Sequence, residues 1–125
     1  MHFLVAEDNQ LNAEIIWELL RTEGATCDVE PDGRATVKRF RTAKTGEYTA
    51  VLMDVMMPIM NGYDATRAIR ASTHPEAQTI PIIAMTANAF VKDVHDAMDF
   101  GMNAHIAKPL DLDTLKRTLG ACLRS

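Results

Sequence analysis

Short apolar runs alternate along the chain with longer segments whose apolar positions recur every three or four residues. The runs near 2–6, 26–29, 50–54, 80–85 and 104–107 have strand length. The segments near 10–23, 33–45, 62–72, 88–99 and 111–123 have helical period. Leu11, Ile15, Ile16, Leu19 and Leu20 form one face of the first predicted helix, and Gly24 supplies its stop. Leu112, Leu115, Leu119 and Cys122 do the same for the last, with Asp111 as N-cap. The runs at 3–6, 50–53 and 80–85 are apolar without alternation, as in strands covered on both faces. Thr26–Val29 and Ala104–Ala107 are mixed and suit the two edges. Five such βα units predict a doubly wound parallel sheet of order 2-1-3-4-5, with its switch point between the first and third strands.

Each run but the second ends on a residue suited to phosphate or metal chemistry: Glu7-Asp8, Asp54, Thr86 and Lys108. Open α/β sheets bind ligands outside the carboxyl ends of their strands, so the predicted topology gathers these groups in one crevice. Taken singly, Glu7-Asp8 also reads as a turn or helix cap. Asp54 also reads as a cap in the loop from Met56 to Gly62, Thr86 as a strand-end hydroxyl and Lys108 as a solvated turn lysine. Capping at Asp54 leaves unexplained why the neighbouring first strand also ends in acids. Three close carboxylates repel, and a hard divalent cation relieves that conflict; Mg²⁺ suits one or two carboxylates, waters and phosphate oxygens. Asp8 and Asp54 are the expected direct ligands, with Glu7 acting through water and the backbone carbonyl of Met56 completing the shell. Asp54 is also a candidate phosphoryl acceptor, with Thr86 and Lys108 on the phosphoryl oxygens.

The chain has 125 residues and a net charge of −4. A single domain over 1–125 is expected, with no linker or repeat and no basic stripe suited to nucleic acid. Cys27 and Cys122 have no CxxC partner and read as small buried hydrophobes in a reducing compartment. The four histidines lack metal-ligand spacing, and Met53, Met56, Met57 and Met60 read as packing around the site. There is no signal peptide and no apolar stretch near the roughly 20 residues that span a bilayer, so a soluble cytoplasmic domain is expected.

Glu7-Asp8, Asp54 followed by Met57-Pro58 and Asn61-Gly62, Thr86-Ala87 and Lys108-Pro109 resemble, in order and spacing, the receiver domain of two-component response regulators. The resemblance covers the whole chain. It implies a flavodoxin-like fold of five strands and five helices, and metal at Glu7 and Asp8. It also implies phosphorylation of Asp54 by a phosphohistidine with Mg²⁺ (Mn²⁺ substituting), and phosphate contacts from Thr86 and Lys108. Slow self-dephosphorylation is implied, together with a switch that draws Thr86 inward and alters the face built from 88–99, 104–107 and 111–123. The stretches Ala6–Asn9, Leu52–Pro58, Ala84–Ala89 and Gly101–Pro109 are similar to receivers of hybrid sensor histidine kinases. Those exchange phosphoryl groups with a histidine phosphotransfer domain. A stand-alone regulator is the alternative, as is a docking module without the chemistry. A haloacid-dehalogenase-like phosphohydrolase would need a second acid at position 56, which is Met56.

One position departs from the family. Many receivers carry Tyr or Phe three residues before the lysine, where this chain has His105. His105 therefore stands as a switch candidate or as a partly exposed edge-strand histidine. Trp17 lies nearly opposite the apolar stripe of the first helix and is a candidate contact for a helical, histidine-bearing partner.

Overall fold

A computed structural model describes residues 1–86, 100–107 and 111–124. Its elements in chain order are β1 (His2–Ala6), α1 (Gln10–Thr22), β2 (Thr26–Glu30), α2 (Gly33–Thr42), β3 (Ala50–Asp54) and α3 (Gly62–Arg70). β4 (Ile82–Thr86), β5 (Ala104–Ala107) and α4 (Leu112–Arg124) follow. The helix expected at 88–99 lies outside the described residues, as does Lys108-Pro109.

All strands pair in parallel, in the order β2-β1-β3-β4-β5. Helices cover both faces. Leu4, Ala6, Val51, Met53, Ile82 and Ala84 pack with Phe40 of α2 and Ile69 of α3. Phe3, Val5, Leu52, Ile83, Met85 and Ile106 pack with Ile16 and Leu20 of α1 and Leu115 and Leu119 of α4. This two-sided cover is why β1, β3 and β4 lack alternation, while edge strand β2 keeps Thr26 and Val29 exposed.

Local chemistry sets the element ends. Asn9, Asp32, Asn61 and Asp111 each accept a hydrogen bond from the amide N–H three residues on, at 2.8–3.0 Å, capping α1, α2, α3 and α4. Gly24 ends the α1 turn at φ 75°. The fourth strand begins at Ile82 and not at residue 80, because Pro81 has no N–H for the ladder. α2 stops at Thr42, short of the expected 45, where Ala43 turns extended.

Four expectations fail. Leu11 and Ile15 do not belong to the buried face of α1; they are 65% and 43% exposed, and Ile16 and Leu20 carry the packing. Met56 is exposed, whereas Met53 is buried and Met57 and Met60 pack on the core. Cys27 and Cys122 are only half-buried, and burial raises both thiols above their ordinary range. A basic stripe does exist: winding α2 aligns Arg34, Lys38 and Arg41, which linear spacing had hidden. No described helix is long and apolar enough to cross a membrane.

At the β2 edge, Asp28 Oδ2 accepts from the Tyr48 hydroxyl at 2.7 Å and from His2 Nε2 at 2.9 Å, with Arg39 at 3.6 Å. The Tyr48 bond first, then the His2 and Arg39 contacts, outweigh burial and hold the Asp28 carboxyl below its ordinary value. A depressed carboxylate contributes stability above its unfolded pKa of about 3.9, and loses it as pH falls through the lower folded value. Wild type is therefore expected to exceed Asp28→Asn in Tm from neutral pH down to about pH 4, with the gap closing below that. Parallel Tm profiles would contradict this.

Candidate active site

The carboxyl ends of β1 and β3 are adjacent in the sheet, so Glu7, Asp8 and Asp54 emerge together at the switch point. One oxygen from each lies within 4.8 Å of the others. Glu7 is 2% and Asp54 4% exposed, while Asp8 faces solvent. Two buried carboxylates this close repel by roughly 3–4 kcal/mol at an effective dielectric of about 20. An all-oxygen, all-anionic donor set with one open side suits a hard divalent cation and fits Mg²⁺ well.

The loop after β3 is tightly fixed. The Met56 amide N–H donates to Asp54 Oδ1 at 3.2 Å, and the Asn9 amide N–H donates to Glu7 Oε2 at 3.3 Å. These bonds hold both carboxylates in set orientations. Gly62 opens α3 against the Asp54 backbone: its N–H donates to the Val55 carbonyl at 3.0 Å, and a Cβ there would fall 2.2 Å from the Asp54 carbonyl oxygen. Asn61-Gly62 was legible in the sequence as a motif, but this steric role was not, because it depends on the return path of the chain.

Thr86 ends β4 in register with Ala107 of β5, the residue before Lys108. Thr86 is half-exposed at the same carboxyl end of the sheet as the acids. The sheet thus brings together Glu7, Asp8, Asp54 and Thr86; Lys108 lies outside the described residues. His105 sits partly exposed on the edge strand, in register with Ala84. Trp17 is 43% exposed, and the Arg21 guanidinium lies 5.0 Å from its ring centroid. Leu11 and Ile15 are also exposed on α1, but at about 100° per residue they lie about 120° and 160° around the helix from Trp17. Sequence periodicity missed them as surface residues because apolar character alone does not separate a buried stripe from its rim.

The chain matches the response regulator receiver domain model over residues 3–120. It is a response regulator receiver domain. This receiver is 34% identical over 121 residues to the peroxide stress-activated histidine kinase mak1 of Schizosaccharomyces pombe, covering 96% of the chain and 7% of that protein. It is 36% identical over 110 residues to hybrid signal transduction histidine kinase I of Dictyostelium discoideum, covering 86% of the chain and 6% of that protein. The chain therefore spans a small part of these much longer relatives. Among solved structures it resembles the receiver domain of a sensor histidine kinase from Pseudomonas aeruginosa, with a magnesium ion coordinated in its active-site cleft. The TM-score there is 0.87 and the identity 36%, over 99% of this chain and 98% of that one. The doubly wound fold and the two-component receiver family expected from the sequence are both borne out.

Proposed function

We propose that Asp54 accepts a phosphoryl group from a phosphohistidine, with Mg²⁺ held by Glu7, Asp8, Asp54 and the backbone carbonyl of Met56. The observation that carries this reading is the set of three carboxylates within 4.8 Å at the sheet's switch point. Mn²⁺, with the same preference for carboxylate oxygen, is expected to substitute. When bound, the metal supplies positive charge that offsets the acids and the incoming phosphoryl oxygens. An Asp54 oxygen forms its bond to phosphorus as the P–N bond breaks, and the imidazole leaves with the electron pair. Thr86 donates its hydroxyl to a phosphoryl oxygen, and Lys108 neutralises another. Attack of water on the same phosphorus breaks the Asp54 O–P bond, releases inorganic phosphate and restores the carboxylate, which is slow self-dephosphorylation. Thr86 and His105 form the switch through which phosphorylation alters the surface around β5.

The whole span 1–125 acts as one phosphoacceptor domain, with no nucleic-acid role, on the cytoplasmic side of a relay. Its donor is a histidine kinase or a histidine phosphotransfer domain. The names of the relatives support an origin in a hybrid sensor histidine kinase over a stand-alone regulator. The test is intact mass after incubation with acetyl phosphate. One phosphoryl group is expected with Mg²⁺ and none with chelator. Multiple turnover of a phosphomonoester, or no adduct on folded protein, would contradict the reading.

Trp17 belongs to the docking face for the histidine-bearing partner. Trp17→Ala is expected to slow transfer from a phosphorylated histidine phosphotransfer domain several-fold, about 1 kcal/mol of contact, while acetyl phosphate labelling stays unchanged. Unchanged transfer rate and partner affinity would remove Trp17 from that face.

A further inference from the structure

The α2 surface carries charge opposite to the rest of the molecule. The chain has a net charge of −4, yet α2 holds Arg34, Lys38, Arg39 and Arg41 with no acid among its residues. Arg39 is committed to Glu30 at 2.6 Å. Arg34, Lys38 and Arg41 are exposed, and none has an ion pair among the described residues. Their i, i+4, i+7 spacing makes one row about 10 Å long.

That row borders a cleft of about 620 Å³ between α2, α3 and the loop after β3, with Val37, Ile59 and Met60 in its walls; its one lining acid, Asp32, is the α2 cap and accepts from the Ala35 N–H. Ile59 is 77% exposed and sits at φ 69°. A β-branched residue in the left-handed region is a costly outlier, and such strain concentrates at functional positions. The loop is braced where it stands: a Cβ at Gly33 would lie 2.3 Å from the Met60 carbonyl oxygen, so the loop rests directly on the start of α2. An apolar side chain is thus held rigidly in water beside three cations.

We propose that this cleft docks an acidic amphipathic helix of a protein partner. Carboxylates spaced i, i+4 and i+7 on that helix would pair with Arg34, Lys38 and Arg41, and its apolar edge would pack on Val37, Ile59 and Met60. Two other occupants fit poorly. A nucleic acid would be repelled by the net negative body, and among the described residues no aromatic side chain lines the cleft for base stacking. A bilayer presents no side chain to fill a concave site. None of the cleft's lining residues belongs to the acidic cluster of Glu7, Asp8 and Asp54.

The test is fluorescence anisotropy of the full chain with a labelled synthetic helix bearing Glu at i, i+4 and i+7 and leucines alongside. A scrambled isomer of equal charge, duplex DNA and phosphatidylserine-containing vesicles serve as the other probes. The patterned helix is expected to bind about tenfold more tightly than its scramble. Arg34→Glu with Arg41→Glu should weaken it about tenfold or more, and Ile59→Gly should weaken it without changing its salt dependence. All three residues are exposed, so a Tm no lower than that of wild type will show that the variants fold. Equal binding of the scramble, no binding of the patterned helix, insensitivity to charge reversal, or tighter binding of DNA or vesicles would each overturn the proposal.

Discussion

Asp54→Asn is expected to abolish phosphoryl incorporation completely while leaving the fold intact. Asn keeps the shape of the side chain and an oxygen to accept from the Met56 amide N–H, so the loop has no cause to move. It lacks the carboxylate oxygen that forms the acyl phosphate. It also removes one of three mutually repelling carboxylates, one of them as buried as Asp54 itself. The variant should therefore match or exceed wild-type Tm without Mg²⁺, and gain less from adding it. The paired readouts separate chemistry from folding. A variant that still takes up one phosphoryl group would place the acceptor elsewhere, and one that unfolds would leave Asp54 with a structural role.

Gly62→Ala is expected to damage both stability and chemistry. The added methyl would lie 2.2 Å from the Asp54 carbonyl oxygen and 3.0 Å from the Val55 Cα. These are backbone atoms, so a rotamer change cannot relieve the clash. Either α3 moves away from β3 or the Asp54 backbone shifts. Overpacking of this kind costs about 1–3 kcal/mol, and the upper end is expected for contact with backbone. Denaturant unfolding measures the first effect. Acetyl phosphate labelling, slowed about tenfold or more by a displaced carboxylate, measures the second. A variant within about 0.5 kcal/mol of wild type, labelled at the normal rate, would show that α3 can shift without moving Asp54.

Much of this molecule was legible before folding because its sheet is buried on both faces. Continuous apolar runs in β1, β3 and β4, each ending on a polar group, imply both the parallel order and the place of the site. Asp54 stood out because a carboxylate directly after Val51-Leu52-Met53 must be buried or paired, and it is 4% exposed. What stayed hidden depends on rotation and return path. Five apolar residues on α1 cover a wider arc than the sheet can bury, and only the structure shows that Leu11 and Ile15 fall on the rim. Arg34, Lys38 and Arg41 look scattered in a chain of net negative charge until α2 winds them into a row. Gly33 and Gly62 carry no signal of the carbonyls they accommodate, because those carbonyls belong to the loop after β3 and to β3 itself.

The central claim is that Asp54 is the phosphoryl acceptor, and it is tested most directly by locating the modified residue. The receiver would be incubated with acetyl phosphate and Mg²⁺, reduced with borohydride to convert an acyl phosphate to its alcohol, and mapped by peptide mass. Homoserine at position 54 alone, absent when Mg²⁺ is chelated, is the predicted result. A reduced alcohol at another acid, a label that survives chelation, or unmodified peptide covering residue 54 from protein of confirmed phosphorylation would contradict it.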